Sequence, residues 1–138
     1  MNVEVGEAIP PFRIEQVRPE PMRTVAAIFR DPTPIHWDRE STRALGFDGR
    51  LLNQTPVNVG YVLNMLMTWA GPASVRRIKA EFPQPVLDGD SVTARGRVVA
   101  VADNDGETVA ECDVWLERDD SVHHLVGRAW VAVHHDQP

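Results

Sequence analysis

Hydrophobic positions along the chain change their period near residue 75. Upstream, Met22, Val25, Ala26 and Phe29 follow an i, i+3, i+4, i+7 pattern. That spacing predicts a short amphipathic helix ending where Asp31-Pro32 begins. Asp38 through Leu45 can form a helical turn or two, stopped by Gly46. The strongest helix lies at 55–70, where Val59, Val62, Leu63, Leu66, Met67 and Ala70 cover one broad face, widened by Val57 and Met65. Few polar residues interrupt it, chiefly Asn58 and Asn64, so the pattern predicts burial on most sides. Pro56 suits its first turn, Thr55 or Asn53 can cap it, and Gly71-Pro72 ends it.

Downstream the period becomes two. Ala110, Cys112, Val114 and Leu116 alternate with Glu111, Asp113 and Glu117, as in a half-buried antiparallel strand. Strands are predicted at 75–82, 91–101, 108–117 and 123–133, with turn signals at Asp88-Gly89-Asp90, Asp103-Asn104-Asp105-Gly106 and Asp119-Asp120-Ser121. Residues 1–19 are punctuated by proline and read as an irregular lead-in with a short strand. A helix-rich first half before an antiparallel meander is an α+β layout. A sheet of about five strands wrapped around the long helix satisfies it.

Composition narrows the function classes. The chain's 138 residues fit one domain spanning 1–138, with 43% hydrophobic and 25% charged residues, as in a globular protein. A net charge of −6 argues against a nucleic-acid partner. The cluster Arg76-Arg77 with Lys79 is short and reads as a solvated strand face. No apolar run is long enough to cross a bilayer, and the acidic N-terminus does not resemble a signal peptide. With Cys112 alone, a reducing cytoplasm is expected, and that Cys reads as a small core residue.

Candidate chemistry concentrates in Arg30-Asp31-Pro32-Thr33-Pro34-Ile35-His36-Trp37-Asp38. Pro32 and Pro34 stiffen the segment and push the residues before them towards extended backbone. A carboxylate and an imidazole thus stand on one rigid non-helical loop, which is what a general acid/base pair requires. Read alone, the loop is equally compatible with a solvated surface turn. Asp38 reads as the cap of the helix that follows, and Trp37 either walls a pocket or packs over the loop. His123-His124 and His134-His135 are expected on strand or tail surface, because adjacent strand residues point to opposite faces and cannot readily share a metal. Trp69, Trp115 and Trp130 read as core or interface residues, and Tyr61 and Asn64 on the apolar helix can face a binding tunnel.

The run Asp31-Pro32-Thr33-Pro34-Ile35-His36 resembles the Gly-Asp-x-Asn-Pro-Ile-His signature of MaoC-like hydratases and dehydratases. Val5-Gly6-Glu7, Gly46-Phe47, Pro85-Val86, Gly89-Asp90 and Gly127-Arg128-Ala129-Trp130-Val131 extend the resemblance over nearly the whole chain. It implies a single hot-dog domain, and a dimer formed with itself or with another MaoC-like chain. It implies reversible hydration of a trans-2-enoyl thioester of coenzyme A or acyl carrier protein to the 3-hydroxyacyl product, with no metal or redox cofactor. Carried over residue by residue, Asp31 and His36 are the catalytic pair. Asn53 and Gln54 match the His-Gly pair whose backbone N–H stabilises the thioester oxygen, and Thr33 matches the motif's Asn.

Three positions depart from the pattern. Arg30 stands for Gly and can pair with Asp31, lowering its pKa; Thr33 stands for Asn but can still donate; Gln54 stands for Gly but keeps its backbone N–H. Asn53, Gly60 and Trp69-Ala70-Gly71-Pro72 also resemble small MaoC-like subunits that hydrate steroid side-chain enoyl-CoA intermediates beside a second MaoC-like chain. The same fold also suits an acyl-CoA thioesterase, with Asp31 activating water towards the carbonyl, or a non-catalytic acyl-binding subunit of a heteromeric hydratase.

Overall fold

The computed structural model describes residues 2–133. Nine elements follow in chain order: β1 (Ala8–Ile14), α1 (Pro19–Ile28), a 3-10 turn at Pro34–His36, α2 (Arg39–Ala44), α3 (Thr55–Ala70), β2 (Val75–Glu81), β3 (Val92–Asn104), β4 (Glu107–Arg118) and β5 (His123–Ala132). The strands form one antiparallel sheet in the order β1-β3-β4-β5-β2, wrapped around α3. This is the expected α+β hot-dog arrangement.

Alternation decides the two faces. Ala94, Val98, Cys112, Val114, Leu116, Leu125, Ala129 and Val131 are buried and meet Val62, Met65 and Leu66 of α3 in one core. Small residues let the helix sit close to the strands. A Cβ on Gly96 would crowd Ile9 Cδ1 at 2.8 Å and Met65 Cε at 3.2 Å. On the outer face Arg128 bonds Glu111 and Asp113, Arg95 bonds Glu117, and Arg77 lies 5.1 Å over the Trp130 ring. Arg76 pairs with Glu107, so the basic cluster is the strand face its spacing suggested.

Several expectations need correction. β1 carries Pro10 and Pro11 where its register shifts between Ile9 and Phe12; as an edge strand it tolerates the missing donors. β3 runs on to Asn104, because Asp105 and Gly106 both take positive φ (49° and 84°) and close a tight hairpin. Trp115 and Trp130 sit on the outer face rather than in the core, where Trp115 Nε1–H donates to Glu117. α3 is covered on one side only: Val57, Leu63 and Met67 are half-buried and Asn64 is exposed. His124 is buried at 1% exposure, not on the strand surface; His123 is exposed and pairs with Glu117. His134-His135 lie outside the described residues. Among the described residues, no helix is long and apolar enough to cross a membrane.

Candidate active site

α1 fixes the start of the acid/base loop. Its last turn closes with Asp31 N–H to Ala26 O (2.9 Å) and Arg30 N–H to Ala27 O (3.2 Å), the paired bonds of a Schellman cap. Such a cap requires one left-handed residue, normally Gly, and here Arg30 takes φ 51°. The chain reverses there, which places Asp31 beside the proline turn. Thr33 N–H then donates to Asp31 Oδ1 at 3.0 Å, and Pro34–His36 forms the 3-10 turn that presents His36.

The two groups face each other. His36 Nε2 lies 3.4 Å from Asp31 Oδ2, and the imidazole is nearly buried while the carboxylate is about one-third exposed. His36 Nδ1 is 2.7 Å from Leu52 O. A carbonyl only accepts, so Nδ1 carries a proton and Nε2 is the ring atom that faces the carboxylate. The Asp31 carboxyl is held below the ordinary range, first by the Thr33 hydroxyl, then by its N–H, with His36 adding a smaller pull. Arg30 forms no ion pair among the described residues, so the expected Arg30–Asp31 pairing is replaced by Thr33. Nε2 and Oδ2 are close enough for one water seated beside them to touch both.

The segment before α3 builds the other side. Leu52 N–H reaches Ile35 O (2.9 Å) and Asn53 N–H reaches Val86 O (2.8 Å), locking it between the acid/base loop and the chain after β2. Gln54 is the N-cap residue of α3 and has no side-chain cap bond; neither Asn53 nor Thr55 caps. The Gln54 side chain instead donates from Nε2 to Met22 O of α1 (2.8 Å), leaving Oε1 buried without a partner among the described residues. Its backbone N–H has no hydrogen-bond partner among the described residues. Asn53 Nδ2 donates to Asn58 Oδ1 (2.9 Å) and Tyr61 Oη (3.1 Å).

Asp31, Thr33, His36, Asn53 and Gln54 all line a single cleft of about 530 Å³. Phe29, Asn58, Phe82, Gln84 and Pro85 line it too and were not singled out for this role from the sequence. Phe29 was placed on the apolar stripe of α1; it caps the helix at 55% exposure and turns to the cleft. Asn58, buried at 3%, was detectable as a polar residue breaking an apolar helix face. Trp37 lies outside this cleft, 47% exposed, and Asp38 caps α2 through Glu40 N–H and Ser41 Oγ. Cys112 is buried in the sheet, and burial pushes its thiol up to about 12, which removes it as a nucleophile.

The family model described as "MaoC like domain" matches residues 5–117. The ChsH1-ChsH2 complex of Mycobacterium tuberculosis contains a similar chain: TM-score 0.80, 24% identity, 97% of this chain and 100% of that one covered. An (R)-hydratase from A. caviae involved in PHA biosynthesis superposes with TM-score 0.83 and 21% identity over 96% of this chain and 98% of that one. The R-hydratase PhaJ1 of Pseudomonas aeruginosa gives TM-score 0.83 and 16% identity, over 96% and 84% of the two chains. No curated protein matches.

Proposed function

The chain belongs to the MaoC-like domain family, and from that premise we propose that it is an enoyl-thioester hydratase working through Asp31 and His36. The single observation that carries the proposal is their disposition: His36 Nε2 and Asp31 Oδ2 face each other 3.4 Å apart inside a cleft. With His36 in its neutral form, a water seated beside the two atoms donates one O–H to each and turns its lone pair towards the substrate's C3. His36 Nε2 takes a proton as oxygen bonds C3, and the C2=C3 pair shifts onto the thioester as an enolate. The imidazolium then returns the proton to C2. Thr33 favours this division of labour, because a carboxyl held low stays ionised and serves as orienter rather than acid. The unpartnered Gln54 N–H at the start of α3 stabilises the enolate oxygen, helped by the helix dipole.

The substrate is the thioester of coenzyme A or acyl carrier protein, and the expected location is the cytoplasm. The half-buried Val57, Leu63 and Met67 of α3 support pairing with a second hot-dog chain, another copy or a different MaoC-like subunit. Loss of conjugated-thioester absorbance on incubation with enoyl-CoA esters tests the reaction. Asp31→Asn and His36→Ala should each lower kcat by roughly 10²–10⁴-fold while melting like the parent. Full turnover in both variants would remove the assignment. Thiol release from a saturated acyl-CoA would point to a thioesterase instead.

A further inference from the structure

β2 ends at Glu81, paired with Val126, and the chain then forms one wall of the cleft through Phe82, Gln84 and Pro85. This stretch has little means of holding itself. Pro83 and Pro85 lack backbone donors. Among the described residues, no backbone–backbone hydrogen bond ties positions 82–85 to the rest of the fold. Firm pairing resumes only at Val86, whose carbonyl accepts from Asn53, and at the Leu52–Leu87 bridge.

One side chain bridges that gap. His124 Nδ1 on β5 lies 3.2 Å from Gln84 O. The carbonyl can only accept, so Nδ1 bears the proton and Nε2 is bare. Nε2 is buried and has no partner among the described residues, and the residue is 1% exposed. A buried polar atom without a partner costs free energy, and Leu or Val would avoid that cost here. The imidazole therefore calls for a role beyond packing.

We propose that His124 is a positioning residue for the cleft, holding the Gln84 carbonyl so that the wall of Phe82, Gln84 and Pro85 stays in place for the substrate. The functional part rests on the hydratase reading; the tether itself does not. A consequence follows for acid conditions. A second ring proton would sit on the buried Nε2, which meets no acceptor among the described residues, and burial holds the imidazole below its ordinary value. The charges around it are Asp90 before β3, Asp120 in the β4–β5 turn and Arg118 at the end of β4; the two carboxylates favour the cation and Arg118 opposes it. Once charged, the ring must leave its seat to reach water, and the wall loses its tie.

The test uses His124→Phe, which keeps a planar ring without the donor, and His124→Asn, whose amide nitrogen reaches the Nδ1 position. In the Phe variant KM for an enoyl-CoA should rise about tenfold, the worth of one lost hydrogen bond, with kcat within roughly twofold. Amide exchange of the 82–87 stretch should quicken while other segments keep their protection. The Asn variant should restore KM and exchange. As pH falls below the ordinary imidazole value of about 6.5 and through the depressed folded one, the wild-type KM should climb, and the Asn variant should not show that climb. Wild-type KM and exchange in the Phe variant, or an Asn variant no better than Phe, would overturn the proposal. Should the Phe variant fail to fold, the Asn variant decides: an acid-induced rise in KM and in 82–87 exchange that persists in it overturns the tether. If the wild-type chain hydrates no enoyl thioester, the proposed reaction fails, while the exchange measurements still decide whether His124 holds the wall.

Discussion

Arg30 shows how one backbone angle can outweigh side-chain chemistry. Its guanidinium suggests a charge partner for Asp31, yet what the fold asks of the position is φ 51° in a Schellman cap. A left-handed conformation costs an L-residue with a Cβ roughly 1 kcal/mol. Arg30→Gly should therefore raise stability by about that amount, read as a higher denaturation midpoint; an unchanged or lower midpoint would contradict it. Thr33 is the second residue whose identity matters. It holds the Asp31 carboxyl low. In Thr33→Ala the lost hydroxyl bond should let that carboxyl rise towards the ordinary carboxylate value, visible in a carbon-detected NMR titration. The sign for stability follows: Asp31's contribution is complete above its unfolded value and is lost as pH falls through the folded one. Thr33→Ala should shift that acid limb to higher pH.

Among the elements, β2 and β5 pack more tightly than their sequences announce. A Cβ on Gly127 would collide with the Lys79 carbonyl and stand 3.0 Å from Ala80 Cα. The register Ala80–Gly127 thus depends on a missing side chain. Gly127→Ala should cost about 1–3 kcal/mol or more, seen in thermal melts, and should disturb β2 first. His124 couples the same strand to the cleft wall. Its folded pKa is depressed, so its contribution to stability is whole above about 6.5 and is lost as pH falls from there to the folded value. The melting temperature should drop between pH 7.5 and 5.5 by less in His124→Asn than in wild type; equal drops would place the acid sensitivity elsewhere. α3 behaves differently again. Its apolar residues exceed what one sheet can cover, which is why an almost unbroken apolar pattern gives a helix buried along only one side.

For the whole molecule, that uncovered side makes assembly the natural expectation. Val57, Leu63 and Met67 are only half-buried there, and a partner surface would complete their cover. Leu63→Glu with Met67→Glu should lower the mass measured by light scattering without unfolding the chain, since neither residue is in the core cluster. An unchanged mass would put the contact on another face.

The amino-acid sequence by itself determined the elements and their order. Apolar period fixes where helix or strand forms, and proline and glycine fix where each stops, because both effects act within a few residues. It also marked Asp31 and His36, since two prolines make their spacing a local property. Tertiary structure alone decided what those groups meet. Leu52 O, which sets the His36 tautomer, lies 16 residues away, and Gln84 O lies 40 residues from the imidazole that binds it. The same holds for Gln54, whose side chain reaches back 32 residues to Met22 O instead of standing free in the cleft mouth. A hydrogen-bond partner brought in by chain closure leaves no periodic trace along the chain. The identities of His124 and Asn58 therefore became meaningful only once the sheet had wrapped the helix and brought the loop, the helix start and the proline wall around one cleft.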